Sequence, residues 1–315
     1  MDPKPIIEPI PYLSNTNLKV DCLRLDQIHP IVSGNKWYKL RYYLKAAKET
    51  NANAIASFGG PYSNHLVALS YAAKTEGLTS IGYVRSNQGE PITPSLQEAM
   101  NYGMQLVFLG RTSFQEKKDA LLKENESSLN KDIYFVDEGG YGNIGARGAA
   151  TIIKDWKHNN ANDVANAISN NVENPLHQYD FIICAVGTGT MIAGIINAAA
   201  QHQTIIGIPV LKNEGSIVNE IKNLLLNQNA AFTLLHEYHQ GGYAKTTPVQ
   251  INFMNQFWEE TKIPTDIVYT GKVFYAVNEL VNKNYFKSNS SILVMHSGGL
   301  QGNRSLEKGI LHFDY

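Results

Sequence analysis

The sequence predicts an α/β protein built as two open, doubly wound parallel sheets with a cleft between them. Two observations carry this. Short apolar runs of strand length alternate with helix-patterned segments almost throughout, and the runs are near-continuously apolar, as in strands covered on both faces. They also fall into two series separated by a long polar stretch.

In the first series, Ala54 to Phe58, Ser80 to Val84, Gln105 to Leu109 and Ile133 to Val136 read as strands. Asn64 to Lys74 and Pro94 to Tyr102 have helical spacing; in the former, Leu66, Leu69 and Ala73 mark the apolar face. Lys123 to Lys131 reads as a polar connection. From Lys154 to Asp180 the chain is rich in asparagine, with one ragged helix at most, and it suggests no chemistry. The second series is Phe181 to Val186, Thr204 to Pro209, Phe232 to His236, Ile267 to Tyr269 and Ile292 to His296. In such folds ligands sit beyond the carboxyl ends of strands, where loops and helix starts meet.

Bulk properties narrow the function. A chain of 315 residues accommodates two domains. A formal net charge of -1 argues against nucleic-acid binding, which needs a clustered basic surplus. Cys22 and Cys184 make no disulfide framework, so a cytoplasmic, reducing setting is expected. Prolines interrupt the N-terminal apolar residues, so no signal peptide is expected. Phe181 to Ala200 is uncharged and about as long as a membrane span, yet Gly187 to Thr190 split it into a strand half and a helix half. No membrane partner is expected.

Four motifs carry chemistry. S-G-N-K-W-Y-K-L places Lys36 after a glycine turn, in the first turn of a helix continued by Tyr38, Leu40, Tyr43, Leu44 and Ala47. The helix dipole disfavours an ammonium there, and Lys39 and Arg41 are expected to add to that, leaving a nucleophilic amine. Alone, such a lysine is most often merely exposed. G-P-Y-S-N-H-L places Ser63 before a helix; a cap is the ordinary reason for serine there, but free N–H groups at a helix start also bind carboxylates. Gly187-Thr188-Gly189-Thr190 lies between a strand and a helix as an anion nest; it lacks the lysine of a Walker loop and the third glycine of a dinucleotide fingerprint. M-H-S-G-G-L around Ser297 ends the last strand. His236 and His239 have helical spacing, but no further ligand cluster accompanies them, so no metal is expected.

In order and content these motifs resemble the family of 1-aminocyclopropane-1-carboxylate deaminase and D-cysteine desulfhydrase, tryptophan-synthase-β-like (fold type II) enzymes dependent on pyridoxal phosphate. The likeness spans the chain from Lys36 to Ser297. It implies a large cofactor-binding domain of residues 1–40 plus 149–315, a small domain of 41–148, and a homodimer. It implies pyridoxal 5'-phosphate joined to Lys36 as a Schiff base, with its phosphate on Gly187, Thr188, Gly189 and Thr190. Ser63, Asn64 and His65 would grip the substrate carboxylate, Asn64 also meeting the cofactor's phenolic oxygen. Tyr243 (in H-Q-G-G-Y-A-K) and Tyr269 (in D-I-V-Y-T-G-K) would lie at the cofactor and substrate, and Ser297 would face the pyridine nitrogen. Departures from the family are Thr190 and Met191 in the phosphate loop, where G-S-G-G-T-x-A-G is usual, and Tyr62 in place of glutamine.

Within the family, cyclopropane deaminases resembled here tend to carry Glu at the Thr270 position and Leu at the Ser297 position. Two hydroxyls around the ring instead suggest β-elimination from a D-amino acid such as D-cysteine, giving pyruvate, ammonia and sulfide. Ring opening of the cyclopropane substrate to 2-oxobutanoate and ammonia is the alternative. A pyridoxal phosphate-binding regulator without turnover is a third reading; the intact Lys36, Ser63 and tyrosine set argues against it.

Overall fold

The structure is a computed structural model that describes residues 5–86, 89–127, 132–156, 174–212, 214–226 and 230–315. Its strands divide between two sheets. The larger joins β1 (Ile6–Pro9), β2 (Leu18–Arg24), β7 (Phe181–Val186), β8 (Thr204–Pro209), β9 (Ala231–Leu234) and β10 (Ser290–His296) in the order β1-β2-β10-β7-β8-β9. Only β1 runs antiparallel to its neighbour. The smaller joins β3 (Ala54–Gly59), β4 (Thr79–Arg85), β5 (Met104–Leu109) and β6 (Ile133–Val136) in the order β5-β4-β3-β6, all parallel.

Each sheet is covered on both faces. In β7, Ile182, Cys184 and Val186 face a cluster with α5 (Asn143–Lys154) and α6 (Thr190–Ala198), while Ile183 and Ala185 face α8 (Pro248–Thr261) and α9 (Thr270–Asn282). This period-2 division makes a run apolar on both faces. In the small sheet, Ile55 and Val84 pack with α2 (Asn64–Thr75) and α3 (Pro94–Asn101), whereas Ala56 and Phe58 pack on Phe114 and Leu121 of α4 (Arg111–Ser127). Helix α1 (Asn35–Glu49) lies between the two bodies: Tyr38 joins the large-sheet cluster, and Leu40, Tyr43 and Ala47 the small-sheet one. A further helix among the described residues, α7, spans Glu214–Lys222.

Chain order reverses between β10 and β7 in the large sheet and between β3 and β6 in the small one. These switch points open a crevice beyond the strands' carboxyl ends. The Gly187 loop follows β7, Ser297 follows β10, and Ser63 follows β3.

Some expectations need correction. Ile267 to Tyr269 form a turn, not a strand. The N–H groups of Val268, Tyr269 and Thr270 turn inward to the Asp266 carboxylate, so the apolar Ile267 and Val268 are buried without joining a sheet. Residues 123–127 of the expected connection continue α4, where Phe114 and Leu121, two turns apart, anchor one face of a polar sequence, and residues 128–131 lie outside the described residues. The strand expected to reach His236 ends at Leu234, and His236–Tyr238 form a 3-10 turn. Strands β1 and β2 escape sequence inspection because charges interrupt them. Asp21 is nevertheless buried against the Tyr179 hydroxyl, and Arg24 against Glu8 and Asp26. Residues 157–173 of the asparagine-rich stretch lie outside the described residues. The uncharged run from Phe181 is indeed β7, a loop and α6, and among the described residues no helix is long and apolar enough to cross a membrane.

Candidate active site

Helix α1 starts on the loop that follows β10. Gly34 has φ +65°, and a Cβ there would sit 1.8 Å from the Ser297 carbonyl oxygen, so only glycine fits this close approach. The Asn35 N–H donates to the same oxygen at 3.2 Å. Lys36 follows, its Nζ 2.8 Å from Asn35 Oδ1 and 5.9 Å from the centre of the Tyr269 ring. Burial lowers its amine to about 8, against the opposing pull of the Asp266 carboxylate. The expected contribution of Arg41 is absent: its guanidinium turns away to Thr151 and Asp155, because the helix carries it to another face.

Ser63 is the N-cap of α2, its Oγ accepting from the Leu66 N–H at 3.3 Å. It lies directly over Gly59, where a Cβ would come within 2.6 Å of that hydroxyl. The Asn64 amide donates to the Gly299 carbonyl at 3.3 Å, while its buried oxygen has no partner, so one end of the amide is open to a polar group. His65 departs from expectation. Its imidazole is buried with Nε2 donating to Ser57 Oγ at 2.8 Å, and Ser57 in turn donates to the Val136 carbonyl. Burial first, then Lys36 and Lys39, push it down to about 3. The ring belongs to the sheet interior, so what His65 can offer a carboxylate is its backbone N–H in the first turn of α2.

The loop Gly187 to Thr190 opens α6, with Gly189 in the left-handed region as its cap. Thr188 Oγ1 and Thr190 Oγ1 lie 2.9 Å apart, and a Cβ on Gly187 would be 3.4 Å from Cε1 of Tyr269. Asn35 Nδ2 reaches Met191 Sδ at 3.3 Å, tying the loop to the lysine's own turn. Tyr243 and Tyr269 cross edge to face with centroids 6.2 Å apart, and Tyr269's phenol is held well above its usual range, by burial first and then by Tyr243. Ser297, Lys36, Asn64 and Gly299 line one small cavity of about 10 Å³. The structure therefore brings Lys36, Asn64, the Gly187 loop, Tyr243, Tyr269 and Ser297 around one crevice, with Ser63 at its edge.

Thr270 is corrected. It is fully buried and its hydroxyl donates to Asp266 Oδ1 at 2.7 Å, accepting in return from the Asp266 N–H, so it offers nothing to a ring in the crevice. Tyr62, beside Ser63, is largely exposed.

Several neighbours escaped the sequence reading. Lys39 is buried with its ammonium 3.1 Å from the Gly139 carbonyl, and burial, with Lys36 second, holds it well below the usual lysine range. Gly139 in turn faces the Gly187–Thr190 loop: a Cβ there would be 3.0 Å from Cγ2 of Thr188. The signals existed, since Lys39 is one helical turn from Lys36 and Gly139-Gly140 stand between a strand and a helix, as Gly187 does. Asp266 gave none.

These residues fit pyridoxal phosphate. Gly187 and Gly189 keep the loop's backbone bare of side chains at a helix start, Lys39 adds a cation beside it, and the Asn64 amide has an unpartnered end near the Lys36 amine.

The family model described as pyridoxal-phosphate dependent enzyme matches residues 4–298. A Thermotoga maritima protein that carries the name 1-aminocyclopropane-1-carboxylate deaminase provisionally is 26% identical over 89% of this chain and 88% of its own. The bifunctional D-cysteine desulfhydrase/1-aminocyclopropane-1-carboxylate deaminase of Arabidopsis thaliana is 24% identical over 86% of this chain and 70% of its own. Among solved structures, a homologue of 1-aminocyclopropane-1-carboxylate deaminase superposes with a TM-score of 0.73 at 23% identity, covering 95% of this chain and 90% of that one. A fungal L-serine ammonia-lyase from Rhizomucor miehei shares the fold with a TM-score of 0.65 at 15% identity, covering 94% and 93%. With the lysine, the glycine cradle and the two sheets in place, the chain belongs to the pyridoxal-phosphate-dependent enzymes and is similar to those named 1-aminocyclopropane-1-carboxylate deaminase and D-cysteine desulfhydrase.

Proposed function

We propose that the chain catalyses β-elimination from a small D-amino acid of the D-cysteine type. The overall reaction breaks the Cα–H, Cβ–S and Cα–N bonds, one water supplying the keto oxygen that replaces nitrogen, and gives pyruvate, ammonia and sulfide. The observation that carries this choice is Ser297, a residue with a neutral hydroxyl that lines the small cavity bordered by Lys36 and Asn64. A hydroxyl there, unlike an aspartate, leaves a pyridine nitrogen unprotonated, which suits loss of a good β-leaving group better than transamination.

Bound pyridoxal phosphate supplies the electron sink that labilises bonds at the amino acid's Cα. Lys36 is the amine that carries it and, once free, takes the proton from Cα; its lowered pKa keeps a neutral amine available near neutral pH. The N–H groups at the start of α2 orient the substrate carboxylate, with Ser63 Oγ beside them. Gly187 to Thr190 and Lys39 hold the phosphate. Tyr269 stands over the Lys36 amine, and Tyr243 crosses it edge to face.

The second reading, ring opening to 2-oxobutanoate and ammonia, is favoured by the names of relatives such as the 1-aminocyclopropane-1-carboxylate deaminase of Bradyrhizobium sp. (strain BTAi1), 23% identical over 85% of this chain and 82% of its own. The two separate by assay. Purified protein loaded with pyridoxal phosphate is offered D-cysteine, β-chloro-D-alanine, their L forms and 1-aminocyclopropane-1-carboxylate. Pyruvate from the D-amino acids and little 2-oxobutanoate is the expected result. Comparable or faster turnover of the cyclopropane substrate rejects the proposal.

A further inference from the structure

The loop from His239 to Thr246 carries Tyr243 into the crevice in an unusual way. Gln240, Gly241, Gly242 and Ala244 all have positive φ, at 52°, 91°, 113° and 53°. For Gln240 and Ala244 this is a costly conformation that persists only where the surroundings impose it. Yet Gly241, Tyr243, Ala244 and Lys245 are exposed, Tyr243 by 46%. Gly242 alone among these five is buried.

What meets Gly242 is a lysine. Lys272, in the first turn of α9, is fully buried, and its Nζ donates to the Gly242 carbonyl at 2.6 Å. That carbonyl also accepts from the Lys245 N–H at 3.2 Å. A buried ammonium at the positive end of a helix is unfavourable on two counts, and an apolar side chain would fill the same volume without either. Asp266, the nearest counter-charge, lies at the start of the same helix and pulls the Lys272 pKa up against the burial that lowers it to about 8. Asp266 is itself held by three N–H groups and the Thr270 hydroxyl, so Lys272 stands on a rigid base.

We propose that Lys272 is a positioning residue that pegs the His239–Thr246 loop through the Gly242 carbonyl and thereby sets Tyr243 against Tyr269 for substrate binding. The role of Tyr243 in this rests on the functional reading above; the pegging of the loop does not. A peg of this kind links the two tyrosines through one helix start, because Tyr269 immediately precedes α9 and Lys272 lies in its first turn. The consequence is that a buried side chain remote from the substrate controls KM.

The test compares Lys272→Met, Tyr243→Ala and the double variant as cofactor-loaded full-length proteins. Amide hydrogen exchange over residues 239–246, melting temperature, and kcat and KM on the best substrate of the panel are measured. Lys272→Met is expected to fold and keep its visible cofactor absorbance. Exchange across the loop should rise about tenfold or more, and KM by a similar factor, the scale of one lost charged hydrogen bond. Because Lys272 acts through Tyr243, the double variant should be no worse in kcat/KM than Tyr243→Ala alone. Unchanged exchange, additive losses in the double variant, or a Met variant that does not fold each overturns the proposal. If wild type turns over no amino acid, the functional reading fails while the exchange experiment still decides whether Lys272 pegs the loop.

Discussion

Helices α1 and α9 begin alike and do different things. Each carries a lysine in its first turn, Lys36 partly buried and Lys272 fully buried, and desolvation lowers both to about 8 with the same carboxylate, Asp266, pulling back. The difference lies in what the amines touch. Lys272 reaches a main-chain carbonyl across a loop and is held there. Lys36 has only the side chain of its neighbour Asn35 and the face of Tyr269, and it borders a cavity. A depressed pKa therefore does not identify a nucleophile by itself; freedom to move toward a ligand separates the two.

The sharpest way to break the comparison is to delete each amine. Lys36→Ala should abolish turnover and the borohydride-reducible link to pyridoxal phosphate, whereas Lys272→Ala should retain that link. A reducible adduct surviving in Lys36→Ala would show that another lysine carries the cofactor.

Lys39 supplies a second buried ammonium along with Lys272, on the Lys36 helix but facing the Gly187–Thr190 loop through Gly139. Lys39→Met is expected to weaken pyridoxal phosphate binding roughly ten- to a hundredfold, as for loss of a charged hydrogen bond. Binding of pyridoxal, which lacks the phosphate, should be unaffected. An equal loss for both aldehydes would place Lys39 with Lys272 as a structural group.

pH sharpens the comparison further. Both lysines have folded-state values near 8 and unfolded values near 10.5, so between those limits the unfolded chain binds more protons and apoprotein stability rises with pH. That window is shared and cannot tell them apart. Capture of pyridoxal phosphate can: its rate should climb about tenfold per pH unit below 8 and level off above it, following the neutral Lys36 amine. A rate still climbing toward pH 10.5 would mean that Lys36 titrates like an exposed lysine. The smallest effect belongs to a helix start without a lysine. Ser63→Ala should lower stability by about 1 kcal/mol as the loss of an N-cap, measured by denaturant unfolding. If Ser63 also serves the substrate, kcat/KM falls by far more than that change implies; unaltered kcat/KM would leave it a cap only.

Much of this molecule is written locally. The alternation of apolar runs with helical spacing marks the doubly wound sheets, because a strand buried on both faces has to be apolar along its length, as in β3 and β7. Gly34 and Gly189 are legible for the same reason, since a positive φ at a turn leaves its mark on one residue. Lys36, Ser63 and Ser297 stand out because each adjoins such a turn. What the chain conceals is set by contacts between distant segments. Asp21 and Arg24 look like surface charges until Tyr179, Glu8 and Asp26 close around them. His65 looks like a ligand until Ser57 claims its ring, and Thr270 like part of the pocket until Asp266 takes its hydroxyl. Lys39 and Lys272 are ordinary helix-surface lysines in sequence; the packing of α1 against the Gly139 loop and of α9 under Gly242 makes them buried cations. Periodicity and turn chemistry are properties of neighbouring residues and so can be read in order. Burial and hydrogen-bond partnership depend on which segments meet, and only the folded chain decides that.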